Sequence, residues 1–514
     1  MDLKNSAILK RAQRGISVVA TSIILVIVIP MVGLSIDATL LYVVKTKLQG
    51  AVDGAALAAA KALSRGADST SQTDAAKIAA KTYVKFNYPS TFFFSGDVAI
   101  DATNGVQIDL TVANQRTVTV TASVSEPTLF MRWINVSSTT VAASATTIRK
   151  DVNIVLVLDR SGSMSASSSC DPMKAAAINF VDKFAPGRDN IGIISFATTT
   201  IEQMPITSSF IHDSTETGTG TNVTTAIDGI SCAGSTSSAE ALWYAYNELV
   251  GLNQPGALNF IVFFTDGQPT GIDANMPISN SALCTKYSTS TSTSSTPGIL
   301  TSSVRYIPGL YAVTTDGGTL IGTATPTGTA NSNGTPNILN SDQGTTAVAN
   351  STGCAYAASW NGNWTKTTDF VGTWPTTDIY SNATIDSSYN SLTMTGSYPK
   401  LAAANGLGVA ANTANNAAKN IRHGNQVTVL ANFGKSLTGV IIHSIGLGNA
   451  SVPLKADDTF LARVSNTKVL ADGTTSNPGY ESAYGSGVYK YAQNTGDLGT
   501  AFDDIASEIL RIAK

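Results

Sequence analysis

One stretch limits every architecture open to this chain: from Gly15 to Ile36 no side chain carries a charge. The run Ile16 to Ile36 supplies about the 20 residues that a helix needs to cross the hydrocarbon of a bilayer. Lys4, Lys10, Arg11 and Arg14 precede it, and positive charge before a span holds the first residues in the cytoplasm and sends the remaining chain across. A cleaved signal peptide is the alternative. Its apolar core is usually only about 7 to 15 residues long, whereas this one is longer and continues as helix past Asp37 without a good small-residue cleavage site, so a retained anchor is expected. Beyond the span, Leu40, Leu41, Val44, Leu48, Ala51, Val52, Ala55, Ala59 and Leu63 recur at intervals of three and four, which makes span and extension one helix of about 45 residues.

The remaining composition agrees with an exported surface. Only 13% of the 514 residues are charged, against about a quarter in ordinary soluble chains. With 32 Lys and Arg against 35 Asp and Glu, the net charge is -3, which excludes a nucleic-acid partner held by a basic surface. The length allows about two to four domains. Cys170, Cys232, Cys284 and Cys354 show no CxxC spacing and no paired histidines, so zinc is not expected. An even count in an exported chain favours two disulfides. Spacing alone leaves the pairing open; Cys170 with Cys232 and Cys284 with Cys354 is the expected one, because each pair falls within one segment.

The opening Arg14 to Val19, the apolar span, Asp37 and the small-residue stretch Leu48 to Ala58 together resemble the N-terminal segment of TadE/TadG-type Flp (tight adherence) pilus assembly proteins. The resemblance covers roughly residues 1–65 and implies a cytoplasmic start, a membrane helix and its extension. A long helix with an apolar first half also resembles pilins. The prepilin pattern, however, has Glu five residues after the cleaved Gly, and cutting after Gly15 puts Ala20 there. Residues 66–150 read as a small α+β region: a helix from Thr73 to Phe86, strands at 98–102, 106–112 and 116–124, a helical turn at 130–134, and a closing strand from Ser137 to Ile148. It serves either as a spacer sheet packed on the long helix or as a pilus-contact surface.

From Asp151 to Leu158 the chain is a nearly continuous apolar run, as expected of a central parallel strand covered on both faces. It ends in Asp159, with Ser161 and Ser163 close behind. One carboxylate and two hydroxyls on a loop after a strand are a hard-oxygen set suited to Mg2+, although a Ser-rich chain produces that spacing readily by accident. A helix capped by Asp171 with a first-turn Pro follows, running to about Phe184. Next come a strand at 190–196, an edge strand near 200–205, and a helix from Ala239 to Val250 opened by a Ser237/Glu240 capping box. A further buried strand, 258–264, ends in Thr265, Asp266 and Gly267. Ligands in such alternating α/β sheets collect at the carboxyl ends of the strands.

These loops resemble those of the von Willebrand factor A domain with its metal-ion-dependent adhesion site. Asp159, Ser161 and Ser163 fit the family's first motif, Thr236 its threonine loop and Asp266 its last. The resemblance implies that the two serines and one of Thr236 or Asp266 touch the ion, with water and a partner's carboxylate completing the shell. It also implies a doubly wound, mostly parallel, Rossmann-like sheet spanning residues 151–514. A site that only holds loops together is the alternative. Cys170 and Cys232 flank the first two metal loops, where a disulfide would brace the site or restrict access to it.

After Thr270 the pattern breaks. From 271 to 400, 44 of 130 residues are Ser or Thr and 10 are charged, none of them Glu. This marks an insertion, 271–405, beside the metal loops, with disorder expected at 281–295. Its Trp360, Trp364, Trp374, Phe370, Tyr380 and Tyr389 form either a partner-binding platform or the insertion's own core around Cys284 and Cys354. The fold resumes with a helix at 409–421, a strand at 439–446, a helical stretch at 458–464, a strand at 488–493, and a closing helix, 497–512, that places Leu498, Phe502, Ile505 and Ile509 on one face.

The expected function is therefore a membrane-anchored, outward-facing pilus assembly or adhesion component. It would grip a protein or cell-surface ligand offering a carboxylate through Mg2+, with Ca2+ or Mn2+ as alternatives, touch other pilus assembly components, and meet the bilayer through residues 16–36. One competing class is a structural or scaffold A-domain protein of the cell envelope whose metal site is only structural. Another is a scaffold or chaperone-coupled factor like the A-domain proteins that serve motor ATPases, against whose usual cytoplasmic setting the N-terminal charges and the cysteines argue. An enzyme is not expected, since His212, His423 and His443 stand near no nucleophile motif, and His443 in mid-strand reads as a satisfied core histidine.

Overall fold

The computed structural model describes residues 3–63, 69–197, 200–216, 220–234, 236–254, 256–269, 403–424, 437–448 and 457–513, with strands at 271–278, 305–314, 317–323, 327–330 and 336–337. The chain forms two compact units, Met1–Arg149 and Lys150–Ala513.

In the first unit, α1 (Leu3–Ala62) is 60 residues long and takes in the basic residues ahead of the span, so the helix begins earlier than hydrophobicity alone indicates. Among the described residues it is the one helix long and apolar enough to cross a membrane. From Val44 onward one face buries: Val44, Leu48, Val52 and Ala55 pack with Ala76, Ala80 and Val84 of α2 (Ser69–Asn87) and with Val118, Val120 and Val124. Those valines belong to β2 (Gln115–Pro127), where nearly every second residue is buried. β2 is the middle strand between β1 (Val106–Asp109) and β3 (Ser138–Lys150). The strand expected at 98–102 is reduced to a single bridge, Ala99 to Ser123. There the Asp101 carboxylate accepts the Thr103 and Asn104 N–H groups at 2.9 and 2.5 Å, turning the chain before a ladder can extend.

Asp37, the first charged residue after the span, is 1% exposed. Its carboxylate accepts the backbone N–H groups of Leu129, Phe130 and Met131 at 2.8, 2.9 and 2.7 Å. These open the short helical turn Met131–Ile134, which leaves N–H groups without intrahelical partners, and the carboxylate supplies what they lack.

The second unit is a six-stranded sheet built from β4 (Val152–Asp159), β5 (Asn190–Phe196), β6 (Thr200–Thr207), β9 (Leu258–Thr265), β15 (Ile441–Leu447) and β16 (Tyr489–Ala492). Two short strands, β7 (Phe210–Ile211) and β8 (Thr221–Asn222), pair apart from it. The order across the sheet is β6-β5-β4-β9-β15-β16, with only β6 antiparallel. Every residue of β4 is buried, which is why the sequence run is apolar without alternation. Alternate side chains go to opposite faces. Val155, Val157, Ile194 and Phe263 meet α6 (Ser238–Leu252), α7 (Ala403–His423) and α8 (Asp458–Val464). Ile154, Leu156, Phe260 and Phe264 meet α4 (Cys170–Val181), α5 (Val223–Asp228) and α9 (Leu498–Ile512). Each such side chain, once buried, adds roughly 1.5–3 kcal/mol of hydrophobic stabilisation. A short helix, α3 (Gly162–Ala166), follows β4. The expected closing-helix face is in place, with Leu498, Phe502, Ile505 and Ile509 all buried.

Between β9 and α7, β10 (Gly271–Ile278), β11 (Arg305–Thr314) and β12 (Gly317–Thr323) form an antiparallel sheet, and β13 (Thr327–Ala330) pairs with β14 (Pro336–Asn337). The segment expected to be disordered, 281–295, and the aromatics Trp360, Trp364, Trp374, Phe370, Tyr380 and Tyr389 lie outside the described residues, as do Cys284 and Cys354.

His443 lies in β15, fully buried, and stacks on Phe260 with ring centroids 5.6 Å apart. Its Nδ1 accepts the Val488 N–H at 3.0 Å, whereas Nε2 has no hydrogen-bond partner. The core histidine is thus only half satisfied, and burial pushes its pKa down to about 4.

Two outcomes follow from these placements. Asp37→Ala removes three charge-assisted bonds, together worth about 3 kcal/mol or more, so trypsin should cut after the exposed Arg132 at least about tenfold faster than in the unaltered chain. For His443, the folded state holds the neutral ring while the unfolded state takes up a proton below its ordinary pKa of 6.5. Its contribution is therefore complete above pH 6.5 and is lost as pH falls toward 4, amounting to about 3 kcal/mol. Urea unfolding of the second unit across this window should show that dependence, and His443→Phe should flatten it at a constant cost of about 1 kcal/mol for the lost Val488 bond.

Candidate metal centre

The strand order reverses between β4 and β9: one feeds strands to its left, the other to its right. Such a switch point leaves a crevice beyond the carboxyl ends of the two strands. Asp159 closes β4 and Thr265 closes β9, so the loops that follow share that crevice.

Asp159 is fully buried. One of its oxygens accepts the Ser161 N–H at 2.7 Å and the other accepts the Thr265 hydroxyl at 2.5 Å. The Ser161 and Ser163 hydroxyls lie 2.9 Å apart, and Ser163 donates to Asp266 at 2.7 Å. Asp266 is 3% exposed. Four of the five expected residues, Asp159, Ser161, Ser163 and Asp266, are therefore joined in one hydrogen-bonded cluster. Thr236, also buried, stands on the loop that packs against them. Gly162 N–H donates to the Gly234 carbonyl at 2.8 Å, and the Ala233 N–H to the Arg160 carbonyl at 2.7 Å. A Cβ on Gly162 would come within 3.2 Å of that Gly234 oxygen, so a glycine permits the close approach of the loops.

A disulfide braces the same pair of loops. Cys170 and Cys232 are bonded, with Cα atoms 6.2 Å apart, as expected. Cys170 opens α4 directly after the first loop, and Cys232 stands two residues before Gly234.

Burial pushes the Asp159 carboxyl up, and the Asp266 charge pushes it further; burial also raises Asp266. Two carboxylates in a desolvated crevice resist being ionised together. The donor set is hard oxygen throughout, which fits Mg2+, and a cation would relieve both penalties. Among the described residues no group of three or more His, Cys, Asp and Glu side chains gathers, so an ion here would rely on hydroxyls as much as on carboxylates.

Two helix starts differ from expectation. The N-cap of α4 is Ser169, and Asp171 falls within the first turn. Ser237 stands at the N-cap of α6 but makes no side-chain capping bond, and its N–H goes to the Ala197 carbonyl at 2.8 Å. Glu240 turns away from the cap to accept the Thr200 hydroxyl at 3.1 Å. It is 3% exposed, and burial pushes its pKa up to about 8. The capping box fails because both partners are engaged by the neighbouring loop and strand. Thr265 was the functional neighbour that spacing did not single out; its position at the last residue of a buried strand, opposite Asp159, is the signal that finds it.

Residues 153–292 match the family of the von Willebrand factor type A domain, and residues 15–62 match Flp pilus-assembly TadE/G-like. The second unit is accordingly a von Willebrand factor A-type α/β fold. The chain thus carries a TadE/G-like segment at residues 15–62, followed by that domain. No curated protein matches it. Solved structures that overlay on it include the vWF domain of the type V pili tip protein Mfa5 from Porphyromonas gingivalis, 15% identical over 72% of this chain and 98% of that one, with a TM-score of 0.34. Another is the PilB minor pilin from Streptococcus sanguinis, 12% identical over 81% and 79%, with a TM-score of 0.32. Overlays this loose say nothing about partners.

Thr265→Val should leave a buried oxygen of Asp159 without its donor and destabilise the unit by about 2 kcal/mol. Thr265→Ser, which keeps the hydroxyl, should stay within about 1 kcal/mol of the unaltered chain. Denaturant midpoints measured on both variants check the difference.

Proposed function

We propose that this chain is a membrane-anchored, extracytoplasmic component of a Flp/Tad pilus, acting in assembly or adhesion, that holds a carboxylate-bearing protein or cell-surface ligand through a divalent cation. The observation that carries the reading is the cluster of Asp159, Ser161, Ser163 and Asp266 at the switch point, with both carboxylates buried and facing an excess of negative charge. Ser161, Ser163 and either Thr236 or Asp266 would hold the ion, and Asp159 would orient Ser161 through its N–H. Mg2+ is the preferred occupant by the hardness of the donors, with Ca2+ or Mn2+ as alternatives. Once bound, the ion supplies an open coordination position that a partner's Asp or Glu can fill.

The anchor is α1. Its uncharged stretch supports a single crossing, and Lys4, Lys10, Arg11 and Arg14 support a cytoplasmic N-terminus. The role is binding rather than catalysis. His212 is engaged by Glu216 at 2.7 Å and by the Phe184 carbonyl at 3.0 Å, His423 by Glu481 at 3.1 Å, and His443 is buried in the sheet.

Calorimetric titration of Mg2+, Ca2+ and Mn2+ into the chain in detergent micelles tests the reading. Saturable binding is expected, weakened at least about tenfold by Asp159→Ala while the circular-dichroism spectrum stays unchanged. An unaltered chain that binds none of the three ions would leave a structural A domain whose crevice only ties loops together.

A further inference from the structure

Along the exposed apolar part of α1, from Val19 to Ile36, a single residue is buried: Gly33. What covers it is Phe130. A Cβ on Gly33 would meet that ring at 2.5 Å, so only glycine lets the ring lie against the helix. One turn further on, Asp37 takes the three N–H groups of Leu129, Phe130 and Met131. The loop between β2 and β3 is thereby pinned to α1 at two points, one of them inside the apolar span.

The pinned loop presents Trp133 at 86% exposure and Ile134 at 67%, with Leu129 at 45%. Its shape is held from within: the Trp133 N–H goes to the Phe130 carbonyl at 3.1 Å, the Val136 N–H to Met131 at 3.1 Å, and the Thr128 N–H to Ser137 at 3.1 Å. Among the described residues of the second unit the large apolar side chains that stand exposed are three tyrosines, none above 39%. A bare indole beside a bare isoleucine on a braced loop is a costly surface in water.

Height along α1 identifies what covers it. Gly33 lies three residues before the end of the span, about 5 Å inside the hydrocarbon boundary at 1.5 Å per residue. Tryptophan is the side chain most enriched at that boundary, where its ring body is apolar and its N–H meets headgroups. A carboxylate at the same height would be expensive, and the three N–H groups around Asp37 remove that objection.

We propose that the loop Leu129–Ile134 is a second membrane contact: a foot that seats Trp133 and Ile134 in the headgroup and upper acyl region of the leaflet from which α1 emerges. It rests on α1 being a membrane anchor. The foot fixes the rotation and height of α1 relative to the bilayer, as interfacial anchors do.

The test uses the full chain in vesicles of phosphatidylcholine and phosphatidylglycerol, comparing it with Trp133→Phe, a change at a side chain that packs on almost nothing. The difference in tryptophan emission between the two reports on Trp133 alone. Lipid carrying a nitroxide high on the acyl chain should quench that difference signal by about half or more, while iodide admitted to both sides should leave it largely intact. A difference signal quenched by iodide and untouched by lipid nitroxide overturns the proposal. Protection from iodide that appears only at high protein density also overturns it, since the cover is then a second copy. Flotation after a carbonate wash separates the premise from the inference: a chain that fails to float overturns the anchor and the foot together, whereas one that floats with Trp133 in water overturns the foot alone.

Discussion

The second unit turns on the burial of one carboxylate. Asp159 ends a strand whose every residue is covered, so its charge faces protein on all sides. The Ser161 N–H and the Thr265 hydroxyl answer it, and each comes from a different arm of the switch point. By taking one donor from its own loop and another from β9, Asp159 ties the ends of the two central strands together at the edge where the loops open. The Gly162 and Ala233 backbone bonds and the Cys170–Cys232 disulfide then bring the second loop to the same place. The crevice is thus defined by backbone and covalent contacts before any ligand enters.

Much of this architecture is legible in the chain because its determinants are periodic. Largely apolar runs without strict alternation at 152–158, 190–196 and 258–264 identify central strands, and the three-and-four spacing beyond Asp37 identifies the face of α1. The positions of Asp159, Ser161, Ser163 and Asp266 were legible because they follow such runs. What was not legible depends on contacts distant in sequence. Glu240 has the right spacing from Ser237 for a capping box, yet its partner is Thr200, 40 residues earlier, and no local pattern encodes that choice. The stretch 98–102 alternates like a strand, yet Asp101 finds two N–H groups within three residues and turns the chain. Local hydrogen bonding won over alternation there, and tertiary contact won over local capping at α6.

Asp37 shows a third kind of illegibility. Its position marks the end of the apolar span, and a charged residue there reads simply as the point where the helix leaves the bilayer. The partners of its carboxylate are backbone N–H groups more than 90 residues away, and a backbone donor leaves no trace in side-chain composition. Gly33 is equally silent: one glycine in a membrane helix is ordinary, and only Phe130 lying over it gives the absence of a side chain a use.

Asp37 and Asp159 pose the same electrostatic problem and receive different answers. Each is a carboxylate at the end of an apolar element, almost wholly removed from water. Asp37 has three N–H donors and no second carboxylate hydrogen-bonded to its cluster, so the protein itself supplies the counter-dipole and the site needs nothing more. Asp159 has one N–H, one hydroxyl, and the charge of Asp266 pushing against it. The donors there do not offset the mutual repulsion of two buried carboxyl groups, and a cation is of the sign that would relieve it. The contrast between the two sites, more than the presence of serines in a Ser-rich chain, is the physical support for the ion proposed at the carboxyl edge of β4.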